Sequence, residues 1–84
     1  MQRAFIRSQV DRHVPGHIEY IEFGRSRSGR TYAIVINSVV WYKIRIAIIS
    51  YDESSVELKE LTQHLTYDGA QEKVPDAIQI ANGL

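Results

Sequence analysis

The chain has 84 residues, ten Lys and Arg balanced by ten Asp and Glu, 44% apolar residues and no cysteine. That length makes a single domain, residues 1–84, close to the smallest that one core can support, with a net stability of about 4–12 kcal/mol. The lack of cysteine excludes disulfides and thiolate metal ligands and fits a reducing compartment. The N-terminal MQRAFIRSQVDRHV has no apolar run of signal-peptide length, and Ala33–Ile49 is interrupted by Asn37, Ser38, Lys43 and Arg45. No membrane span is expected, and the expected location is cytoplasmic.

In chain order, Ile6, Val10 and His13/Val14 recur at helical spacing ahead of Pro15-Gly16, which predicts a short amphipathic helix over residues 2–13, a strand with Ile6, Ser8, Val10, Arg12 and Val14 on one side being the alternative. His17–Phe23 predicts a first strand, with Ile21 and Phe23 on one side and Ile18 and Tyr20 on the other. Gly24–Gly29 (GRSRSG) is a loop by composition. Thr31–Ser50 is dense in Ile, Val, Tyr and Trp and is split by Asn37-Ser38, which predicts a hairpin: a second strand over Arg30–Ile36 and a third over Val39–Tyr51. A two-residue turn at Asn37-Ser38 would place Ile34, Ile36, Val39 and Trp41 on one face. The other face would hold Ala33, Val35, Val40, Tyr42, Ile44, Ile46 and Ile48. The same register sets Arg30 opposite Arg45, a like-charge pair that an anion could relieve.

Ser54-x-x-Glu57 matches a capping box, and Leu58, Leu61 and Leu65 follow as an apolar stripe, so the main helix is expected from Ser54 to Thr66. Tyr67-Asp68-Gly69 signals a turn. Pro75-Asp76 could open a last short helix carrying Ala77, Ile78 and Ala81, with a terminal strand as the alternative. The expected fold class is α+β: a three-stranded antiparallel meander packed against one main C-terminal helix, with a short N-terminal helix.

Both faces of the expected hairpin are apolar near its turn. Burying each such side chain is worth about 1.5–3 kcal/mol, so the face of Ile34, Ile36, Val39 and Trp41 needs a cover. The chain's own helices could supply it, which would make a three-layer monomer. A second molecule could also supply it, so those four residues are the candidate interface of a homo-oligomer, a dimer being favoured. Charge is also divided: residues 1–50 carry eight Lys and Arg against three acids, a net of +5, and residues 51–84 a net of −5. Such asymmetry suits a charged partner or self-complementary packing.

Arg25, Arg27 and Arg30, with Arg45 across the hairpin, form the candidate anion or nucleic-acid contact. His13 and His17 are four apart but separated by Pro15-Gly16, which denies them helical metal-ligand geometry, so no metal is expected. With no Cys nucleophile, no phosphate-cradling loop in strand-to-helix context and no nucleophile elbow, neither a catalytic site nor a cofactor is expected. The expected function is a non-enzymatic, self-associating interaction module with a possible protein partner. Nucleic-acid binding through the arginine loop is the alternative.

Overall fold

The two runs densest in β-branched residues become the two central strands of one sheet. The computed structural model describes residues 2–51 and 56–84, with side chains from residue 7 onward. The elements are α1 (Gln2–His13), β1 (His17–Arg25), β2 (Thr31–Val40), β3 (Lys43–Tyr51), β4 (Val56–His64), α2 (Tyr67–Gln71) and α3 (Val74–Asn82). The strands run antiparallel in the order β1-β2-β3-β4, a meander. α1 covers one face and α2 with α3 the other, so the architecture is α+β in three layers.

The sheet has four strands where three were expected, because residues expected in the main helix form β4 instead. Ser54 of the capping box lies outside the described residues, and Glu57 stands on β4. The leucine spacing that looked helical is that of a bulged strand. Leu58 pairs with Ile49 and Glu60 with Ala47, but Thr62 pairs with Ile46, leaving Leu61 as the extra residue. An extra residue reverses the alternation of the strand. Leu58 and Leu61, three apart, lie on opposite sides of the sheet as in any strand, Leu58 toward α1 and Leu61 in the core under α3, and the bulge brings Thr62 to the side of Leu61. A step of three thus puts two apolar residues on opposite faces of a strand, where in a helix it would put them on one face.

The hairpin turn also lies elsewhere. β2 and β3 pair Thr31 with Tyr51 through Ser38 with Ile44, and the chain reverses at Trp41-Tyr42 instead of Asn37-Ser38. Asn37 is buried, and its side-chain amide donates to the Pro15 carbonyl at 2.7 Å. Gly16, at φ +81°, lies so close to Ser38 that an added Cβ would stand 2.2 Å from the Ser38 carbonyl oxygen. The dipeptide expected to turn the chain instead receives the α1–β1 connector inside the sheet.

This register reassigns the faces. Ile34 and Ile36 join Ile44, Ile46 and Ile48 against Ala70, Val74, Ala77 and Ala81. Alanines at Ala77 and Ala81 let α3 approach the isoleucine face closely, and both are fully buried. Ala33, Val35 and Ile49 face Val10 and Val14 of α1. On β1 a bulge at Glu19 moves Ile18 to the side of Ile21 and Phe23 and leaves Tyr20 on the α3 side. Each fully buried Ile and Val among these contributes about 1.5–3 kcal/mol, and together they explain how a chain without disulfides closes a core.

The helix expected over residues 2–13 is α1, ended by Pro15-Gly16. The terminal segment is helical, with Pro75 in the first turn of α3, where its missing N–H costs no hydrogen bond. The Tyr67-Asp68-Gly69 turn is a single helical turn, α2, capped by Thr66 Oγ1 accepting from Gly69 N–H at 3.0 Å. Among the described residues, no helix is long and apolar enough to cross a membrane.

Candidate functional site: the β2–β3 tip

Two of the four candidate interface residues are not on the surface. Ile34 and Ile36 are wholly buried under α2 and α3. The sheet face expected to need a second molecule is covered by the same chain, because the turn at Trp41-Tyr42 places these isoleucines with the rest of the isoleucine face. Val39 and Trp41 are exposed, at 61% and 84%. Val40 and Tyr42, expected in the core, join them at the surface, as does Leu65 just past β4, at 79%.

The tip is built by the hairpin itself. Val39 is an extra residue between the Ser38–Ile44 and Val40–Lys43 pairs, so the strand bends just before the turn. The Trp41 and Tyr42 rings meet edge to face, with centroids 5.3 Å apart and planes at 82°. Lys43 separates two shallow hollows. One, of about 240 Å³, is lined by Tyr42, Lys43, Gln63, His64 and Leu65. The other, of about 320 Å³, is lined by Val39, Val40, Lys43, Arg45 and Gln63. Glu60 balances Arg45 at 3.1 Å and also accepts from the Gln63 amide at 3.0 Å. The tip therefore offers aromatic and aliphatic surface beside one exposed ammonium, that of Lys43, which suits binding.

The arginine loop lies at the opposite end of β2. Ser26 and Arg30 close it, with Ser26 N–H donating to the Arg30 carbonyl at 2.8 Å and Arg30 N–H to Ser26 Oγ at 3.0 Å. Gly29 takes the left-handed position at φ +95°. The loop is fastened to the end of α3: Arg27 N–H donates to the Asn82 carbonyl at 3.1 Å, and Ser28 Oγ donates to the Leu84 carbonyl. Tyr32 reinforces this end by lying over Gly24, where a Cβ would meet the ring at 2.4 Å, and by donating its hydroxyl to Asn82 Oδ1 at 3.3 Å. Cations beside a helix C-terminus are favoured by the dipole, so Arg27, whose backbone is bonded to the end of α3, has a structural reason for its place.

The expected Arg30–Arg45 pair does not form. Arg45 lies opposite Asn37, and the Arg30 guanidinium donates to Ser50 Oγ at 3.3 Å. Three of the four candidate anion contacts therefore share one end of the sheet, and Arg45 is at the other.

The histidines have separate local partners: His13 with Gln9 at 3.2 Å, His17 with Glu19 at 3.5 Å and His64 with Thr62 Oγ1 at 2.7 Å. Among the described residues, no three His, Asp or Glu side chains group as a metal site would require. On β1, burial, the hydrogen bond to Glu22 at 2.7 Å and the charges of Glu22 and Tyr67 push the Tyr20 hydroxyl up to about 12. No family model, curated protein or solved structure matches this chain.

Sequence reasoning missed Val40, Tyr42 and Leu65. The available signal was the isoleucine pattern: a turn at Trp41-Tyr42 gathers five isoleucines on one face, whereas a turn at Asn37-Ser38 divides them between two.

Proposed function

We propose that this chain is a non-enzymatic protein-interaction module that self-associates, a dimer being favoured, through the β2–β3 tip. The observation that carries this reading is the exposure of Val39, Val40, Trp41, Tyr42 and Leu65 together at one end of a domain whose two central strands are covered on both faces along most of their length. Exposed apolar surface concentrated in one place, with Trp and Tyr at its centre, is what association surfaces use.

The sheet edges support the tip over edge-to-edge pairing. β1 and β4 each contain a bulge, and β4 shows Glu57, Lys59 and Glu60 to solvent, all of which discourage strand addition. Nucleic-acid contact has less support, since the loop backbone is engaged with the end of α3 and Arg45 is balanced by Glu60.

Sedimentation velocity from micromolar to submillimolar concentration tests the reading. A sedimentation coefficient that rises with concentration, and does so less for Trp41→Ser, is the expected result. A monomer throughout overturns it. Salt-sensitive binding of single- or double-stranded nucleic acid, abolished by replacing Arg25 and Arg27, would favour the alternative.

A further inference from the structure

Trp41 stands between two hollows and fills neither. Val40 before it lines the hollow of about 320 Å³, and Tyr42 after it lines the smaller one. Trp41 itself lines neither of them. Its edge-to-face contact with Tyr42 leaves the residue 84% exposed.

The larger hollow has the chemistry of a receptor for an aromatic ring. Lys43 and Arg45 stand two apart on the α1 face of β3, the face of Ile49. Val39 and Val40 form the apolar wall opposite them, and Gln63 closes the β4 side. A guanidinium is flat and weakly hydrated, so it stacks on aromatic rings, and a cation over an indole face is attracted by the ring quadrupole. Arg45 is already positioned for this. Its side chain is only 27% exposed and is held by Glu60 at 3.1 Å, whose other oxygen accepts from the Gln63 amide at 3.0 Å. A receptor fixed in advance loses little freedom on binding. The volume is at the lower end of the roughly 300–1,000 Å³ of ligand pockets, which suits one large ring.

Resting on the reading of the tip as a self-association surface, we infer that this hollow receives Trp41 of a second copy, the indole stacked on Arg45 with Lys43 alongside. Two such exchanges about a two-fold axis at the tips form the dimer. An interface between identical chains uses the same patch on both sides, so donor and receptor must lie on one continuous surface. Here they are adjacent. Trp41 follows Val40, which lines the hollow and pairs with Lys43 across the turn. The electrostatics agree, because the negative face of an indole complements a hollow with two cations. One of them, Lys43, has no ion pair among the described residues.

The test is sedimentation equilibrium of the full chain and its variants, each first shown to be folded by circular dichroism. Trp41→Ala removes the donor and Arg45→Ala the stacking plane, and each is expected to weaken dimerisation about 30-fold. An equal mixture of the two variants is the deciding sample. It restores one intact pair, the tryptophan of one chain on the arginine of the other, so the mixed dimer should be about fivefold tighter than either variant alone. Val40→Ser takes the place of Arg45→Ala in the mixture if the latter is unfolded. A mixed dimer no tighter than its two parents, with Trp41→Ala still weakening association, overturns the hollow as receptor and leaves association through the tip standing. A monomeric unmodified chain overturns both.

Discussion

β2 is entered through a turn of arginine, serine and glycine and left through a turn of valine, tryptophan and tyrosine, and the charged turn is the one tied down. Arg27 and Ser28 are bonded to the end of α3, and Tyr32 lies over Gly24 beside them. At the other end, Trp41 stands almost fully in solvent. Composition alone suggests the reverse, because charge is usually solvated and aromatic surface is usually buried. A turn's residues thus do not reveal its role until what packs against it is known. Here the end of α3 gives the arginine turn a partner, and against the described residues the tryptophan stays exposed.

The largest expected effect separates the buried part of the hairpin from its tip. Ile34→Ala removes a side chain with no solvent exposure and should cost about 2–5 kcal/mol of folding stability in urea denaturation. Trp41→Ala in the same measurement at low protein concentration should cost no more than about 0.5 kcal/mol. Equal costs would mean that Trp41 is packed within the monomer.

Gly16→Ala comes next. It places a Cβ at positive φ against the Ser38 carbonyl and should destabilise by at least about 1–3 kcal/mol. A neutral result would show that the α1–β1 connector does not run against β2.

A smaller effect tests the fastened turn. Ser28→Ala removes the hydroxyl bond to the Leu84 carbonyl and should cost about 0.5–1.5 kcal/mol. It should also speed amide exchange in the last turn of α3, and unchanged exchange there would mean the turn is not held by that contact.

The smallest effect is alkaline. The Tyr20 hydroxyl holds its proton up to about 12 in the folded chain against 10.0 for the free group. A raised value means the stabilisation is complete below pH 10 and is lost as pH climbs from there toward 12. Tyr20→Phe should therefore make the fall in urea midpoint over that window shallower. An identical fall would place Tyr20 in solvent.

Much of this fold was legible in the sequence, and the errors share a cause. α1 was readable because Val10 and Val14 recur at helical spacing ahead of a Pro-Gly stop. The last helix was legible only as one of two options, because Pro75 ahead of Ala77, Ile78 and Ala81 suits a helix while Ile78 and Ile80 also alternate as a strand would. The β2–β3 turn was misplaced because Asn37 has the chemistry of a turn residue, yet it is held inside the sheet by the Pro15 carbonyl, a contact that no local pattern announces. β4 was read as a helix because Leu58 and Leu61, three apart, would share a helix face, whereas in the strand they lie on opposite sides of the sheet. Tertiary contact outweighed local preference in the first case, and in the second a spacing of three fitted both one face of a helix and the two faces of a strand. At the candidate site, Val39 and Trp41 were recognisable as apolar residues needing a cover. Ile34 and Ile36 were grouped with them only through the misplaced turn.

Trp41 is the sole tryptophan of the chain, so its own fluorescence reports on the surface that matters. The decisive measurement is its emission and acrylamide quenching over a dilution series at neutral pH. The expected result is a blue-shifted, protected tryptophan at high concentration that becomes red-shifted and fully quenchable on dilution. Emission that stays red-shifted and quenchable at every concentration would contradict self-association through the tip.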